Sequence, residues 1–289
     1  MTDMILPALR RRVPGFIMPV LTLRHVGPLL AAFYLLLLVA AAIAPTLFTH
    51  IDPMAIEPRD AFQGPSLSHP FGTDQSGRDV LARVIHGARQ SLLLGISAIT
   101  LALSFATVLA LVGGLGGRLA EKSVRWLLDV MFSIPSLVLA LLFTATLGSG
   151  IVPLIVAIGV GSAAGYGRIV FGQVLAVRRA GYVEAARALG HAPAGIIVRH
   201  ILPNAFRPLI VMGTMGIGQM IVWSASLSFL GLGARPPAAE WGTMLSMGRD
   251  FVAEAWWMTF FPGLAIVVTM LATTIAGRSL QRLIEGRVS

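Results

Sequence analysis

The chain has 289 residues, 56% of them hydrophobic and 12% charged, with no cysteine and a formal net charge of +9. Soluble domains carry about 25% charged residues, so the apolar excess, gathered in uninterrupted blocks, excludes an ordinary soluble core and reads as membrane spans. The missing cysteine excludes disulfides, thiolate metal sites and cysteine catalysis, and the basic residues flank apolar blocks, which points to anionic lipid as their partner and not to nucleic acid.

Residues 1–26 read as a basic tail that includes Arg10, Arg11 and Arg12. The first uncharged block, Val26 to Thr49, predicts a span at 27–47. Its basic flank and Ala42-Ile43-Ala44 imitate a signal peptide, but its apolar stretch is longer than the usual length of about 7–15 residues. It reads as an uncleaved anchor. Residues 48–88 follow as an ordered outer loop rich in Pro, Gly and Asp, with room for a short interfacial helix.

A five-helix domain is expected over 89–278. The block Gln90 to Gly117 predicts a span at 90–113. Val130 to Gly167 is too long for one crossing, which takes about 20 residues for a core of about 30 Å. It divides at the turn signal Leu147-Gly148-Ser149-Gly150-Ile151-Val152-Pro153 into a hairpin of spans at 127–147 and 152–172. Gly161 and Gly165, with Ser162, Ala163 and Ala164 between them, are small residues of the kind that let helices approach closely, and plain packing is their expected role. Pro208 to Ala234 and Ala255 to Gly277 predict spans at 206–230 and 257–277, followed by a tail at 279–289. Continuous runs of this length favour helices over the period-2 strands of a barrel. The fold class is therefore an all-α integral membrane protein with six transmembrane helices. Of the 22 basic residues, an N-terminus placed inside leaves only Arg59, Arg78, Arg83, Arg89, Arg235 and Arg249 outside. That bias predicts both termini in the cytoplasm.

Several chemistries are missing. The one lysine, Lys122, follows Glu121 and not glycine, so there is no phosphate-binding Gly-x4-Gly-Lys-Ser/Thr loop. Neither His-Glu-x-x-His nor Gly-x-Ser-x-Gly occurs. The histidines at 25, 50, 69, 86, 191 and 200 include no i, i+4 pair and read as surface or packing residues. The spans lack the mid-membrane ionisable groups of proton- or sodium-coupled carriers. Asp129 and Arg168 lie near span ends, and Asp129 is expected to pair with an arginine such as Arg125 one turn away. No catalytic residue, metal or cofactor is expected on this chain, and the energy for transport is expected from another subunit.

The informative inner loop runs Tyr182-Val183-Glu184-Ala185-Ala186-Arg187-Ala188-Leu189-Gly190 and on to His200-Ile201-Leu202-Pro203-Asn204. Glu184 to Leu189 has good helix propensity and Gly190 a stop signal. A second short helix is expected from Ala192 to His200, broken by Pro203. Small alanines, one acid and a turn glycine in this order suit a rigid helix–turn–helix that docks a partner.

Glu184-Ala185-Ala186, Gly190 and Leu202-Pro203 resemble the EAA motif of ABC importer permeases. Where that motif has an apolar residue two positions before its leucine, this chain has His200, and Arg199-His200-Ile201-Leu202-Pro203-Asn204 is similar to the peptide-permease branch. The resemblance covers nearly everything after residue 50. His69-Pro70-Phe71-Gly72-Thr73-Asp74-Gln75-Ser76-Gly77-Arg78-Asp79 resembles the outer motif of the "C" permease of dipeptide, oligopeptide and nickel importers. Ser226 to Gly233, Trp241-Gly242-Thr243-Met244-Leu245 and Phe261-Pro262-Gly263-Leu264-Ala265 match the same branch. Gly277-Arg278 departs from its usual Gly-Asp and puts contacts at the inner end of span six in question.

The resemblance implies a type I ABC importer permease fold in the bacterial inner membrane. It implies a heterodimer with a second permease, two ATP-binding subunits that carry ATP and Mg, and a periplasmic or lipid-anchored substrate-binding protein. Glu184, Ala185, Ala186, Gly190, Leu202 and Pro203 would form the ATPase-coupling loop. His69, Pro70, Phe71, Gly72, Thr73, Asp74, Gly77, Arg78 and Asp79 would either order the outer loop or dock the binding protein. The expected function is import of di- and oligopeptides. The same machine moving nickel or a metal chelate is the nearest alternative, and an autonomous channel or carrier and a non-transporting scaffold are the remote ones.

Overall fold

The computed structural model describes residues 20–286, with side chains from Val26 onward. The expected tail arginines Arg10, Arg11 and Arg12, and Arg287, lie outside that range. Among the described residues, ten α-helices account for nearly all regular structure: α1 Val20–Ile43, α2 Val80–Leu115, α3 Gly117–Ser133, α4 Ser136–Leu147, α5 Ile151–Arg178, α6 Gly181–Ala188, α7 Pro193–Ile196, α8 Leu202–Phe229, α9 Trp241–Gly248 and α10 Trp257–Ile284. α1, α2, α5, α8 joined to α7, and α10 are long and apolar enough to cross a membrane. A sixth crossing exists if the bent pair α3 and α4 is counted as one.

That pair corrects the straight span expected at 127–147. The two helices meet at 85°. Ile134, pushed into the extended region (φ −90°, ψ 124°) by the proline that follows it, ends α3, and Pro135 starts α4. With 12 residues, α4 is about 18 Å long and too short to cross alone. The apolar run continues through the break, which is why the sequence hides it.

Other boundaries move for similar local reasons. α2 begins ten residues before the expected span because Asp79 caps it, accepting a hydrogen bond from the Ala82 N–H at 2.7 Å. The loop expected at 48–88 therefore ends at residue 79. α10 continues through the expected tail to Ile284. The second short helix does not stop at Pro203. α7 passes through a π-turn at Ile197–Ile201 directly into α8. The wider turn accommodates a ring that has no N–H and would otherwise crowd the carbonyl four residues back.

The bundle is held by close approach of small residues. Ala98, Ala102, Ala106 and Ala110 form a fully buried stripe with a four-residue repeat on α2, and Gly159, Ala163 and Gly167 answer it on α5. A Cβ on Gly159 would press on Leu101, and one on Gly167 on Leu128. Between helices with no water to expel, such contact is what dispersion and packing can use. Gly161 belongs to this set, its Cβ position lying 3.0 Å from the Ser136 carbonyl, whereas Gly165 faces open space.

Two ends can be distinguished. The cap end gathers residues 44–79, the start of α2, α9 and the start of α10 around Val80, Trp241, Met244 and Trp257. The foot end gathers α6, α7 and the adjoining turns of α2, α3, α5 and α8 around Val124, Val174, Val183, Ala186 and Ile201.

Candidate functional site

At the foot end, α6 packs inward through Val183 and Ala186, which are buried against Val174, Val177 and Ile196. The helix closes with a Schellman motif, in which the His191 N–H reaches the Ala186 carbonyl (3.2 Å) and the Gly190 N–H reaches that of Arg187 (3.0 Å). Gly190 has φ +79°, a conformation that any side chain would strain, so glycine is required there by backbone geometry. His200, the odd residue of the motif, has its ring 6.4 Å from Tyr182 and 6.5 Å from His191. It joins the two halves of the hairpin, a task an apolar residue would do differently.

The structure divides the residues expected to couple. Glu184, Ala185 and Gly190 are exposed, Pro203 is exposed, and Leu202 is half-buried. Ala186 turns away from any partner and anchors α6 to the bundle. The outer face of α6 adds what sequence reasoning passed over: Tyr182, Ala185 and Leu189, at i, i+3 and i+7, form an apolar stripe, with Leu189 78% exposed. The spacing was legible as a helix face. What it lacked was knowledge that Val183 and Ala186 already supply the buried face.

At the cap end, the 69–79 segment is a closed hydrogen-bond lattice. Asp74 accepts from the N–H groups of Ser76 (2.8 Å) and Arg78 (3.0 Å) with one oxygen and from Arg78 Nε (2.8 Å) with the other. Arg83 lies 3.8 Å from that second oxygen and donates to the carbonyls of Pro53 (3.3 Å), Pro237 (3.1 Å) and Ala238 (3.3 Å). Asp79 caps α2 and meets His69 Nδ1 at 2.9 Å. Trp257 Nε1 donates to the Thr73 carbonyl (2.9 Å), and its ring fills the space a Cβ on Gly72 would need. Gly77, at φ +76°, passes against the Glu57 carbonyl. Phe71 stacks on Phe261 at 3.9 Å between ring centres. Glu240 caps α9 through the N–H groups of Gly242 and Thr243, both at 2.8 Å, and Trp241 Nε1 donates to the Val84 carbonyl (2.9 Å).

Gly72, Thr73, Asp74, Gly77, Arg78 and Asp79 are thus buried with partners inside the chain, His69 and Phe71 are half-buried, and of this motif only Pro70 is exposed. This is the loop-ordering arrangement. It does not present those side chains as a free surface. Four sequence motifs far apart in the chain, at 69–79, 226–233, 241–245 and 261–265, meet in this one unit, with Gly233 and Gly242 both lying against Ser228. Arg83 and Glu240 are central to it and were not singled out by sequence, since an arginine on an apolar helix reads as an orientation signal.

Between the ends, the bend at Ile134–Ser136 holds open a cleft of about 450 Å³ against α5 and α8. It joins a second space of about 500 Å³ through Phe132, Ser162, Gly165 and Tyr166. Arg168 stands at the rim. Its partner is Asp129 (2.8 Å) and it lies over the Phe132 ring at 4.1 Å. This corrects the expected Asp129–Arg125 pairing: Arg125 bonds Glu121 at 3.0 Å, one turn away on the other side. α5 brings Arg168 across, a contact no local spacing announces.

The family of binding-protein-dependent transport system inner membrane components matches residues 98–289. The chain is 38% identical, over 86% of its length and 81% of the relative's, to a dipeptide transport system permease protein of Alkalihalophilus pseudofirmus. It is 38% identical, over 88% of its length and 85% of the relative's, to a probable D,D-dipeptide transport system permease protein of Escherichia coli. A glutathione transport system permease protein of Pectobacterium atrosepticum is 35% identical over 92% of this chain and 88% of its own. Among solved structures, an inward-facing form of the MetNI methionine ABC transporter superposes with a TM-score of 0.55 over 72% of this chain and 97% of that one, at 20% identity. An amino acid ABC transporter with histidines gives 0.54 over 72% and 95%, at 22% identity. At such identities these two establish the fold, which is that of a type I ABC importer permease.

Proposed function

Because the chain belongs to the family of binding-protein-dependent transport system inner membrane components, we propose that it is the permease subunit of an ATP-driven importer that carries di- and oligopeptides across a bacterial inner membrane. Its relatives of about this length are named for dipeptides, D,D-dipeptides and glutathione, which favours peptide over nickel or a metal chelate. It works with other subunits of the transporter. The finer reading is a second, homologous permease beside it, two ATP-binding subunits beneath the foot end, and a binding protein that delivers cargo at the cap end. The foot end is then cytoplasmic, in line with the bias of basic residues. ATP and Mg belong to the partner subunits, and no catalytic role falls to this chain.

The observation that carries the coupling assignment is the outer face of α6. Leu189 and Tyr182 are exposed apolar side chains on a short amphipathic helix whose other face is fully used, which is what a helix seated in a partner's groove requires. Glu184, Ala185 and Gly190 flank that stripe, Ala186 pins it, and Leu202 and Pro203 connect it to α8 through the π-turn. A push on α6 is thereby delivered to a continuous helix of the bundle. ATP binding and hydrolysis bias a two-state packing equilibrium through this contact. At the cap end, the exposed residues 54–59, Pro65 to Ser68 and Pro70 are what the outer loop offers a binding protein, held in place by the buried lattice beneath.

The test is uptake of a labelled dipeptide and of labelled nickel by a deletion strain and by the same strain carrying this gene. Loss and recovery of peptide uptake alone is the expected result. Recovery of nickel uptake alone overturns the peptide reading.

A further inference from the structure

The cleft at the bend holds polar groups without partners. Tyr166 on α5 and Gln219 and Trp223 on α8 all line it and are half-buried. The Tyr166 hydroxyl, the Gln219 amide and the Trp223 indole N–H make no hydrogen bond among the described residues. The Ser162 hydroxyl reaches only the Met220 sulfur, at 3.8 Å. Tyr166 lies about 20 Å from either end of α5, and Gln219 lies about 15 Å from the cap-side end of α8, at about 1.5 Å rise per residue. Tyr166 and Gln219 therefore sit at mid-membrane depth, where polar groups left to hydrocarbon are costly. They face water or a hydrogen-bonding occupant.

Three features identify that occupant. First, the polar groups inside the cleft are neutral, and the one charge at its rim, Arg168, is already paired with Asp129. An amide, a phenol, an alcohol and an indole N–H are suited to amide N–H and C=O groups and do not select for charge. Second, the backbone of a neighbouring helix is already paired within itself and reaches these groups only through whatever polar side chains it carries, and a lipid chain offers no hydrogen bonds at all. An extended peptide carries free N–H and C=O groups along its whole length. Third, there is room. The cleft of about 450 Å³ lies within the range of about 300–1,000 Å³ typical of small-molecule sites. At its floor a Cβ on Gly165 would meet nothing within 4 Å.

We propose that this trough is this chain's side of the peptide path, and that Gln219, Tyr166, Trp223 and Ser162 hold the cargo by its backbone and leave its side chains unread. This rests on the peptide-importer reading above and deepens it by naming the groups that touch the cargo.

The absence of cysteine makes the test direct. Single variants Gly165→Cys and Gln219→Cys are made in the full transporter, with Leu36→Cys and Val108→Cys as comparators at positions exposed on the outside of the bundle (71% and 60%). Membranes holding the assembled complex are treated, while ATP is hydrolysed, with a charged thiol reagent that cannot cross lipid. The expected result is reaction at 165 and 219 and none at 36 and 108. Adding the dipeptide that the wild-type chain imports, at roughly ten times the concentration that half-saturates protection, slows reaction at 219 by about tenfold. Dipeptides with acidic, basic and neutral side chains that the transporter accepts protect alike. A second variant, Gly165→Leu, fills the trough without touching the core. It is expected to reach normal membrane levels and to lose uptake.

Unreactive thiols at 165 and 219, reaction that peptide does not slow, protection confined to one side-chain class, or normal uptake by Gly165→Leu would each overturn the inference. A wild-type chain that restores no peptide uptake would sink the importer reading itself, a result separate from all of these.

Discussion

The cap and foot ends use similar residues for opposite purposes. At the cap, Asp74, Arg78, Asp79, Arg83 and Glu240 are buried, and each finds its partners within the chain. At the foot, Glu184 and Arg187 are exposed and form no ion pair among the described residues, and Leu189 projects an apolar side chain with nothing over it. A buried charge that is paired and hydrogen-bonded on all sides is committed to architecture, because removing any member strands the rest. An exposed apolar stripe beside unpaired charges is committed to nothing inside the molecule. The difference teaches that a short string of Gly, Asp, Glu and Arg does not declare whether it faces inward or outward. The partners decide it, and they come from distant segments.

The sharpest way to break this comparison is to remove the centre of the cap. Asp74→Ala leaves the buried Arg78 and Arg83 without their carboxylate, and stripping one member from a buried pair costs about 3–5 kcal/mol. For a protein of ordinary marginal stability that is a large share of the total. The expected outcome is a sharp fall in folded protein in the membrane and in melting temperature in detergent, with uptake lost as a consequence. Asp74→Ala at wild-type levels and stability would show that the cap lattice is ornamental.

At the foot the order of effects reverses. Leu189→Asp breaks the stripe without exposing any new buried group, so membrane content and thermal stability stay near wild type while uptake and retention of the ATP-binding subunits during purification collapse. Gly190→Val has a structural cost above that of Leu189→Asp and below that of Asp74→Ala. A left-handed residue with a Cβ costs about 1–2 kcal/mol, and the Cβ itself meets no neighbour. It is expected to stay folded with reduced uptake, because the Schellman turn that aims α6 is reset. A Leu189→Asp chain that imports normally would remove α6 from the coupling assignment.

How much of this the sequence discloses follows the same division. The apolar blocks and the Gly148–Gly150 hairpin were legible because spans and tight turns are local. The break at Ile134–Pro135 was written in a single proline but masked by apolar residues on both sides. The π-turn at Ile197–Ile201 was hidden because Pro203 reads locally as a stop, and only the joined α7–α8 path shows that the chain keeps winding. Arg83, Glu240 and the trough groups Tyr166 and Gln219 depend on which helix face meets which neighbour. That is fixed by packing between distant segments, as in the Arg83–Ala238 contact across 155 residues. The glycine pair Gly161 and Gly165 shows the limit well, since one packs and the other opens onto a cleft, four residues apart.

The middle of the molecule supplies the gentlest test. Asp129 and Arg168 pair at 2.8 Å, but their side chains are 59% and 47% exposed. An exposed pair of this kind is worth about 0.2–1 kcal/mol. Arg168 keeps its place over Phe132 without the carboxylate, so Asp129→Asn is expected to shift stability less than Arg168→Ala, which removes the stacking as well. A double-mutant cycle of the two, read from melting temperatures in detergent, should return a coupling within that range. A coupling several times larger would mean that the pair is desolvated in the assembled transporter. The rim of the trough would then be built like the cap, as fixed architecture, and not like the foot, as a surface that changes partners.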